Sequence, residues 1–500
     1  MPRITVLRTI ATAILVALPF VRPTDAQSPI LPPLPQEVVE GFIQAAAEHL
    51  DYLPGEVIVK FKPGVTAQGE QRALTALRSR PDVSALQWLA GTTTALYRDR
   101  QQPNARILAE QLSEQPEVAY AEPNYVMHVH AVPNDPSYSL RQWNFSAINM
   151  PGAWDISPGG SNSTIVAIVD TGVTTSPLFN LSVKTWDGTK IVSASPPVAL
   201  SPDHDAGRFV SPADFTGSLT SPSTVVYDLD GHGTHTSSTV GESTNNAVAE
   251  AGIAYNARIM PVKVCVGYWD IQFQMSALGI PGFTPQDAGG SCSTAAVAAG
   301  IRWAADHGAN VINLSLGGSQ PSQTQFDALT YAVQHGVFVS ISAGNSYDTG
   351  NAAAYPASYA PTLGGVVSVA AVGRSLNHAY YSTSGPYVEL AAPGGDVKDG
   401  GSAGEVWQAT LCPSDSDSAT VIFPRFDRYC EVAYQGTSMA APHVAGVAAL
   451  LVSRGIKDPA AIEALLTKTA RDLGAPGKDD LFGYGLIQPR TALFGFGISK

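Results

Sequence analysis

Residues 435–451 read QGTSMAAPHVAGVAALL, a Gly-Thr-Ser turn running directly into an apolar segment. Val444, Val447, Ala448 and Leu451 fall at i, i+3, i+4 and i+7, which is one face of a helix. Ser438 therefore sits at or just before a helix N-terminus, where backbone N–H groups lack partners and the dipole favours negative charge. A serine in that place is most often an N-cap. A cap, however, needs no small residues around it. Gly436, Ala440 and Ala441 keep space open beside the hydroxyl, as a nucleophile that receives a substrate carbonyl requires.

Upstream, short apolar β-branched runs recur at 164–169 (TIVAIV), 259–264 (IMPVKV), 311–316 (VINLSL), 337–342 (VFVSIS) and 366–371 (VVSVAA), with helical stretches at 294–307 and 325–335 between them. Strands of this composition are buried on both faces, so residues from about 133 onward predict an α/β domain with a mostly parallel sheet. Sites in such sheets lie at the carboxyl ends of strands. There stand Asp170, after the first run, and Ala343-Gly344-Asn345, after 337–342; His232 opens another helical stretch in GHGTHT, 231–236. Singly, these are ordinary residues: a turn aspartate, a core or surface histidine, a turn asparagine. His232 and His235 lack the carboxylate of a zinc-binding HExxH pattern. Together with Ser438 they meet a demanding specification: a hydroxyl nucleophile, a base within reach, an anion that orients the base, and donors for a developing oxyanion.

The chain before this domain has its own pattern. Arg3 and Arg8 precede an apolar run over 9–21, and small residues near Ala26 offer a cleavage point, so residues 1–26 read as a secretory signal peptide. That run is short for a membrane span, and no other stretch is long and apolar enough. Residues 27–50 read as a Pro-rich spacer followed by one short amphipathic helix containing Val39, Phe42, Ile43, Ala46 and Ala47. Strand patterns at 56–62, 83–88, 93–98 and 118–126, with helices at 67–80 and 104–114, give a βαββαβ order over 51–131, the ferredoxin-like arrangement. A turn-rich stretch, 131–139, marks the boundary with the domain over 132–500, and no further domain is expected after residue 487.

The blocks VAIVDTGV, GHGTHT, SAGN and GTSMAAPHVAG, in this order, resemble the signature blocks of the subtilisin-like serine proteases. The resemblance spans roughly 133–487. It implies a subtilisin-like, mostly parallel sheet with helices on both faces, preceded by a small ferredoxin-like α+β prodomain similar to the inhibitory, chaperone-like propeptide of these enzymes. It also implies roles: Ser438 attacks, His232 is general base and then acid, Asp170 orients it, and Asn345 donates to the oxyanion. Ser315, Leu316 and Gly317 match the segment that pairs with substrate backbone. Ala343 and Gly344 would line the first specificity pocket, and Asp348, nearby in sequence, would favour basic side chains if it faced that pocket. His235 and His443 match structural positions. Hydrolysis somewhere in 126–132 would release the mature enzyme by its own action.

The pattern also has departures. Cys265, Cys292, Cys412 and Cys430 are an even set in an exported chain, which implies two disulfides with three connectivities open; pairing of sequence neighbours gives Cys265–Cys292 and Cys412–Cys430. Each pair would close an insertion, and the first, which in relatives borders the non-primed groove, would narrow substrate choice. No metal or cofactor is required for the chemistry. Relatives often carry structural calcium, and Asp135, Ser243 and Asn246 stand where some ligands would be, but the sequence after Asp170 has no matching acid, only Asn180. With 44% hydrophobic residues the chain can build large cores. A formal net charge of −13 and a pI near 5.2 argue against a nucleic-acid or anionic-membrane partner. The expected partners are protein or peptide substrates and the chain's own propeptide, acting on a monomer. An inactive protease-fold binder would usually have lost one of the four residues. An esterase would be expected to carry the G-x-S-x-G elbow in place of GTS.

Overall fold

A computed structural model describes residues 35–48, 50, 52–75, 83–89, 91–99, 102–126, 132–281, 290–416 and 421–495. The expected signal peptide, most of the Pro-rich spacer, residues 76–80 of the second helix and most of the expected processing stretch lie outside these residues. The chain divides into two compact units, residues 1–127 and 128–500.

The first unit opens with α1 (Gln36–Ala47), which packs on β1 (Tyr52–Phe61). The helix forms as its periodicity predicts, yet Phe42 and Ile43 are exposed and it is Ala45 that is buried. Next come α2 (Ala67–Thr75), β2 (Val83–Trp88), β3 (Thr94–Asp99), α3 (Ala105–Ser113) and β4 (Val118–Tyr125). The antiparallel sheet runs β2-β3-β1-β4, with Val57 opposite Tyr97 and Val59 opposite Ala95. Asn104 caps α3 by accepting from the Arg106 amide at 3.1 Å. Leu108 and Leu112 of that helix close the core over Val57, Val59 and Phe61.

The second unit is built on β5 (Ile165–Asp170), β6 (Ala213–Asp214), β7 (Arg258–Lys263), β8 (Val311–Leu314), β9 (Phe338–Ser342), β10 (Val366–Val372) and β11 (Leu390–Pro393). All six neighbouring pairs are parallel, in the order β6-β7-β5-β8-β9-β10-β11. Alternate residues of β5 serve different cores, as the two-residue period requires. Val166 and Ile168 join the core formed with α7 (Thr437–Ser453). Ala167 and Val169 join the core under α5 (Thr294–Asp306) and α6 (Gln323–Gln334). The chain reverses its lateral progress at β5, between β7 and β8, and the carboxyl end of that strand is the crevice in which such sheets bind ligands. Two edge strands escaped the sequence pattern: β6 has two residues, and β11 (LAAP) lacks β-branched residues and ends in proline.

Helix α7 is buried all round. It packs on β8 to β11 on one side and on α4 (His232–Gly241) on the other, so the four-residue stripe read from sequence marks only part of its apolar surface. Both disulfides join sequence neighbours, Cys265 to Cys292 and Cys412 to Cys430. The loops they close pack on one another. Within the first, the helix Tyr268–Ala277 buries Trp269 and Phe273 against Phe426 of the second, and the Trp269 indole donates to the Ser416 carbonyl at 2.7 Å. The insertions therefore share a satellite core. Trp269→Ala, which empties it, should lower the unfolding free energy by about 3 kcal/mol, read from the denaturant midpoint.

Candidate active site

Asp170 ends β5, where the parallel register sets it beside Lys263, the last residue of β7. Its Oδ1 lies 2.7 Å from Nδ1 of His232, the first residue of α4. The same oxygen accepts the Thr171 amide at 2.7 Å, and Oδ2 accepts the Thr236 hydroxyl at 3.4 Å. Gly233 makes this approach feasible. A Cβ there would come within 2.1 Å of the Gly172 carbonyl oxygen, so any side chain would push α4 off the loop that carries Asp170.

Asp228 organises the N-terminus of that helix. Fully buried, it accepts the amides of Asp230, Gly231 and Thr234 and the hydroxyls of Thr171 and Thr234, at 2.7–3.1 Å. These are the donors a helix start leaves unpaired. The buried Lys263 ammonium donates to the Thr171 carbonyl at 2.6 Å and to Asp270 of the first insertion at 3.0 Å, tying the Asp170 loop to that insertion. Neither residue entered the sequence reading. For Asp228 a signal existed, an acid four residues before the histidine.

Ser438 is the second residue of α7. Its backbone N–H has no acceptor, and its Oγ donates to the Ser315 carbonyl at 3.2 Å. No hydrogen bond joins it to His232, although both line one cleft of about 930 Å³. Asn345, just after β9, accepts the Thr437 amide and hydroxyl through Oδ1, each at 2.9 Å. That pairing leaves Nδ2 as the free end of the amide. A Cβ on Gly436 would lie 3.4 Å from Nδ2, and the residue's φ of +155° suits only glycine. The Thr437 hydroxyl also accepts the Gly344 amide at 3.1 Å.

Ser315, Leu316, Gly317 and Gly344 line the same cleft. Residues 315–317 continue β8 without a ladder partner, up to a bridge between Gly318 and Tyr355. Ala343 is a correction. It prolongs β9, its amide bonded to the Val369 carbonyl and its own carbonyl accepting the Tyr387 hydroxyl, and its methyl is fully buried in the core. Ala354 lines the cleft beside Gly344. Asp348 is a second correction: it sits on the exposed turn Tyr347–Thr349 and is not among the residues that line the cleft. His235 is buried and stacked on Tyr434, 4.6 Å between ring centres, while His443 bonds Asn144 and the Met439 carbonyl. Burial pushes both imidazoles down, to about 3 and about 4, and holds them neutral.

Among the described residues no group of three or more histidine, cysteine, aspartate or glutamate side chains is placed to hold a metal ion. An oxygen-rich cluster does lie around the loop after α4. Asp135 accepts the Asn245 and Asn246 amides, and Asn246 Nδ2 donates to Asp203 Oδ1 at 2.6 Å. Asp203 adds a second acid to this cluster. Its Oδ2 is buried without a partner, and burial, with Asp135 nearby, holds it up at about 7.

The Subtilase family description matches residues 161–485, and that of the Fervidolysin N-terminal prodomain matches residues 40–124. A thermophilic serine proteinase from a Bacillus species is 31% identical over 461 residues, covering 90% of each chain. An extracellular protease of Xanthomonas campestris is 31% identical over 83% of this chain and 68% of its own. The crystal structure of fervidolysin from Fervidobacterium pennivorans superposes with a TM-score of 0.50 at 26% identity, over 89% of this chain and 61% of that one.

The charge state of His232 is a direct readout of the site. Burial alone would lower its pKa, but the Asp170 carboxylate bonded to Nδ1 outweighs burial and raises it to about 9. NMR titration of the His232 ring should therefore show protonation persisting into alkaline solution. In Asp170→Asn burial is opposed only by the more distant carboxylates of Asp230 and Asp228, and the midpoint should fall well below about 9.

Proposed function

Because this chain belongs to the subtilase family of serine proteases, we propose that it is a secreted endopeptidase that cuts peptide bonds through an acyl-enzyme and is made as a self-processed zymogen. The observation that carries the reading is the 2.7 Å contact between Asp170 and His232 in a cleft that also holds Ser438 and Asn345. Rotation of Ser438 about χ1 between staggered wells exchanges the Ser315 carbonyl for His232 Nε2 as acceptor. In its neutral form, which a pKa of about 9 makes dominant only in alkaline solution, His232 takes the hydroxyl proton as Oγ attacks the carbonyl carbon. The oxyanion that forms is met by the Ser438 N–H and Asn345 Nδ2, while Asp170 stabilises the imidazolium. His232 then protonates the leaving amine, the C–N bond breaks, and water activated in the same way hydrolyses the ester. Residues 315–317 offer an open main-chain edge on which substrate lies as an added strand, with its side chains read by pockets.

The proposed organisation is a signal peptide over 1–26, a spacer and helix over 27–50, a propeptide over 51–131 that assists folding and blocks the cleft, and a catalytic domain over 132–500. The working form is a monomer outside the cytoplasm. A structural calcium ion would suit the oxygen-rich cluster after α4. Asp135, Asp203, Asn246 and the Ser243 carbonyl would hold it, and neutralising two buried carboxylates is what it would supply. A second reading, an inactive binder on the same fold, draws on the orientation of the Ser438 hydroxyl toward Ser315.

Ser438→Ala should leave the precursor uncut and lower kcat by about 10⁶-fold. Full self-processing by that variant would overturn the mechanism, and a processed wild-type protein that cuts no peptide would favour the binder. Asn345→Ala should lower kcat by about 10²–10³-fold, the loss that removal of such a donor causes in subtilisin, with folding intact. EDTA should lower Tm and added calcium restore it, whereas an unchanged Tm would remove the ion from the account.

A further inference from the structure

Among the described residues, those lining the cleft include no lysine, arginine or glutamate, and only two aspartates. Asp170 is consumed by His232. Asp230 makes no hydrogen bond to the His232 ring. It is half-buried at the start of α4, and its Oδ1 accepts the His232 amide at 3.3 Å. No hydrogen bond reaches Oδ2, which lies against the bare α-carbon of Gly267, where a Cβ would come within 2.7 Å. Asp170, Asp228 and Asp270 gather on the same side of the cleft, against one ammonium, Lys263, already bonded to Asp270 and the Thr171 carbonyl. Four carboxylates, Asp230 among them, thus face two cations, Lys263 and the His232 imidazolium, and this wall carries a net negative field next to the reacting groups.

An added strand presents successive side chains to opposite sides. The residue that supplies the scissile carbonyl turns into the small pocket of Gly317, Gly344 and Ala354, on the Ser438 side of the cleft. Its N-terminal neighbour then faces the histidine side. We propose that Asp230 selects a cationic side chain, lysine, arginine or protonated histidine, at the residue immediately N-terminal to the one whose carbonyl is attacked. This rests on the protease reading above and adds a substrate class to it. Burial makes the lone carboxylate expensive to keep charged, raising it to about 6, so a desolvated cation beside it is favoured. The sequence joining the two units agrees. In MHVHAV, residues 127–132, hydrolysis after Val129 or after Ala131 places His128 or His130 at that position, with a small apolar residue in the pocket.

The test uses the processed enzyme and three peptides with alanine before the cut, differing only in the preceding residue: lysine, glutamine or glutamate. The expected kcat/KM for lysine exceeds that for glutamine by about tenfold, the scale of one partly desolvated charge pair, and exceeds that for glutamate by more. In Asp230→Asn the lysine-to-glutamine ratio falls to near one, and in Asp230→Lys the order of lysine and glutamate inverts. Turnover of the glutamine peptide without a lysine preference in the wild type overturns this inference alone, as does a preference that survives in Asp230→Asn. Failure of the wild type to cut any of the three overturns the protease reading and this inference with it.

Discussion

One hydrogen bond, between the buried Asp170 carboxylate and Nδ1 of His232, governs how the rest of the site is arranged. It joins the end of a central strand to the start of a helix 62 residues later, and backbone must meet backbone for it to form. The absence of a side chain at Gly233 permits that meeting, and the Asp228 carboxylate holds the helix start in place by satisfying the donors the helix cannot. The bond also sets the electrostatics. It outweighs the burial that would otherwise keep the imidazole neutral, so the imidazolium, the charged species that forms when the serine loses its proton, is the one the fold stabilises in advance.

The opposite wall depends on a different economy, in which backbone and small residues do the positioning. Thr437 orients the Asn345 amide by taking its oxygen. Gly436 adopts a conformation open only to glycine and leaves room beside Nδ2. The helix behind them, α7, is apolar on every side and locked between the sheet and α4, which gives the free N–H of Ser438 a rigid mount. The two disulfide-closed loops extend this rigidity outward. Their shared aromatic core, through Trp269, Phe273 and Phe426, joins the two insertions, the first borders the cleft at Cys265 and Cys292, and Lys263 couples that insertion to the Asp170 loop.

Much of this was readable from the chain. The five inner strands announced themselves by β-branched runs, and the four blocks around residues 170, 232, 345 and 438 by their residue types and order. What escaped had physical reasons. Strands of two residues or of alanine and proline carry no periodic signal. Ala343 is one residue from the cleft in sequence but points into the core because strand alternation continues one residue past β9. Asp203 and Asn246 are 43 residues apart, and no local pattern links them. The partnership of the two insertions depends on tertiary contact alone.

The account stands on cooperation among Asp170, His232 and Ser438, and the reaction of a serine-directed fluorophosphonate tests this most directly. Mass spectrometry should find the adduct on Ser438. The rate of labelling should fall by about 10³–10⁴-fold in Asp170→Asn, where geometry is kept but the histidine is held in the wrong tautomer. Absence of label on Ser438 in the processed protein, or a rate indifferent to the loss of the Asp170 charge, would contradict it.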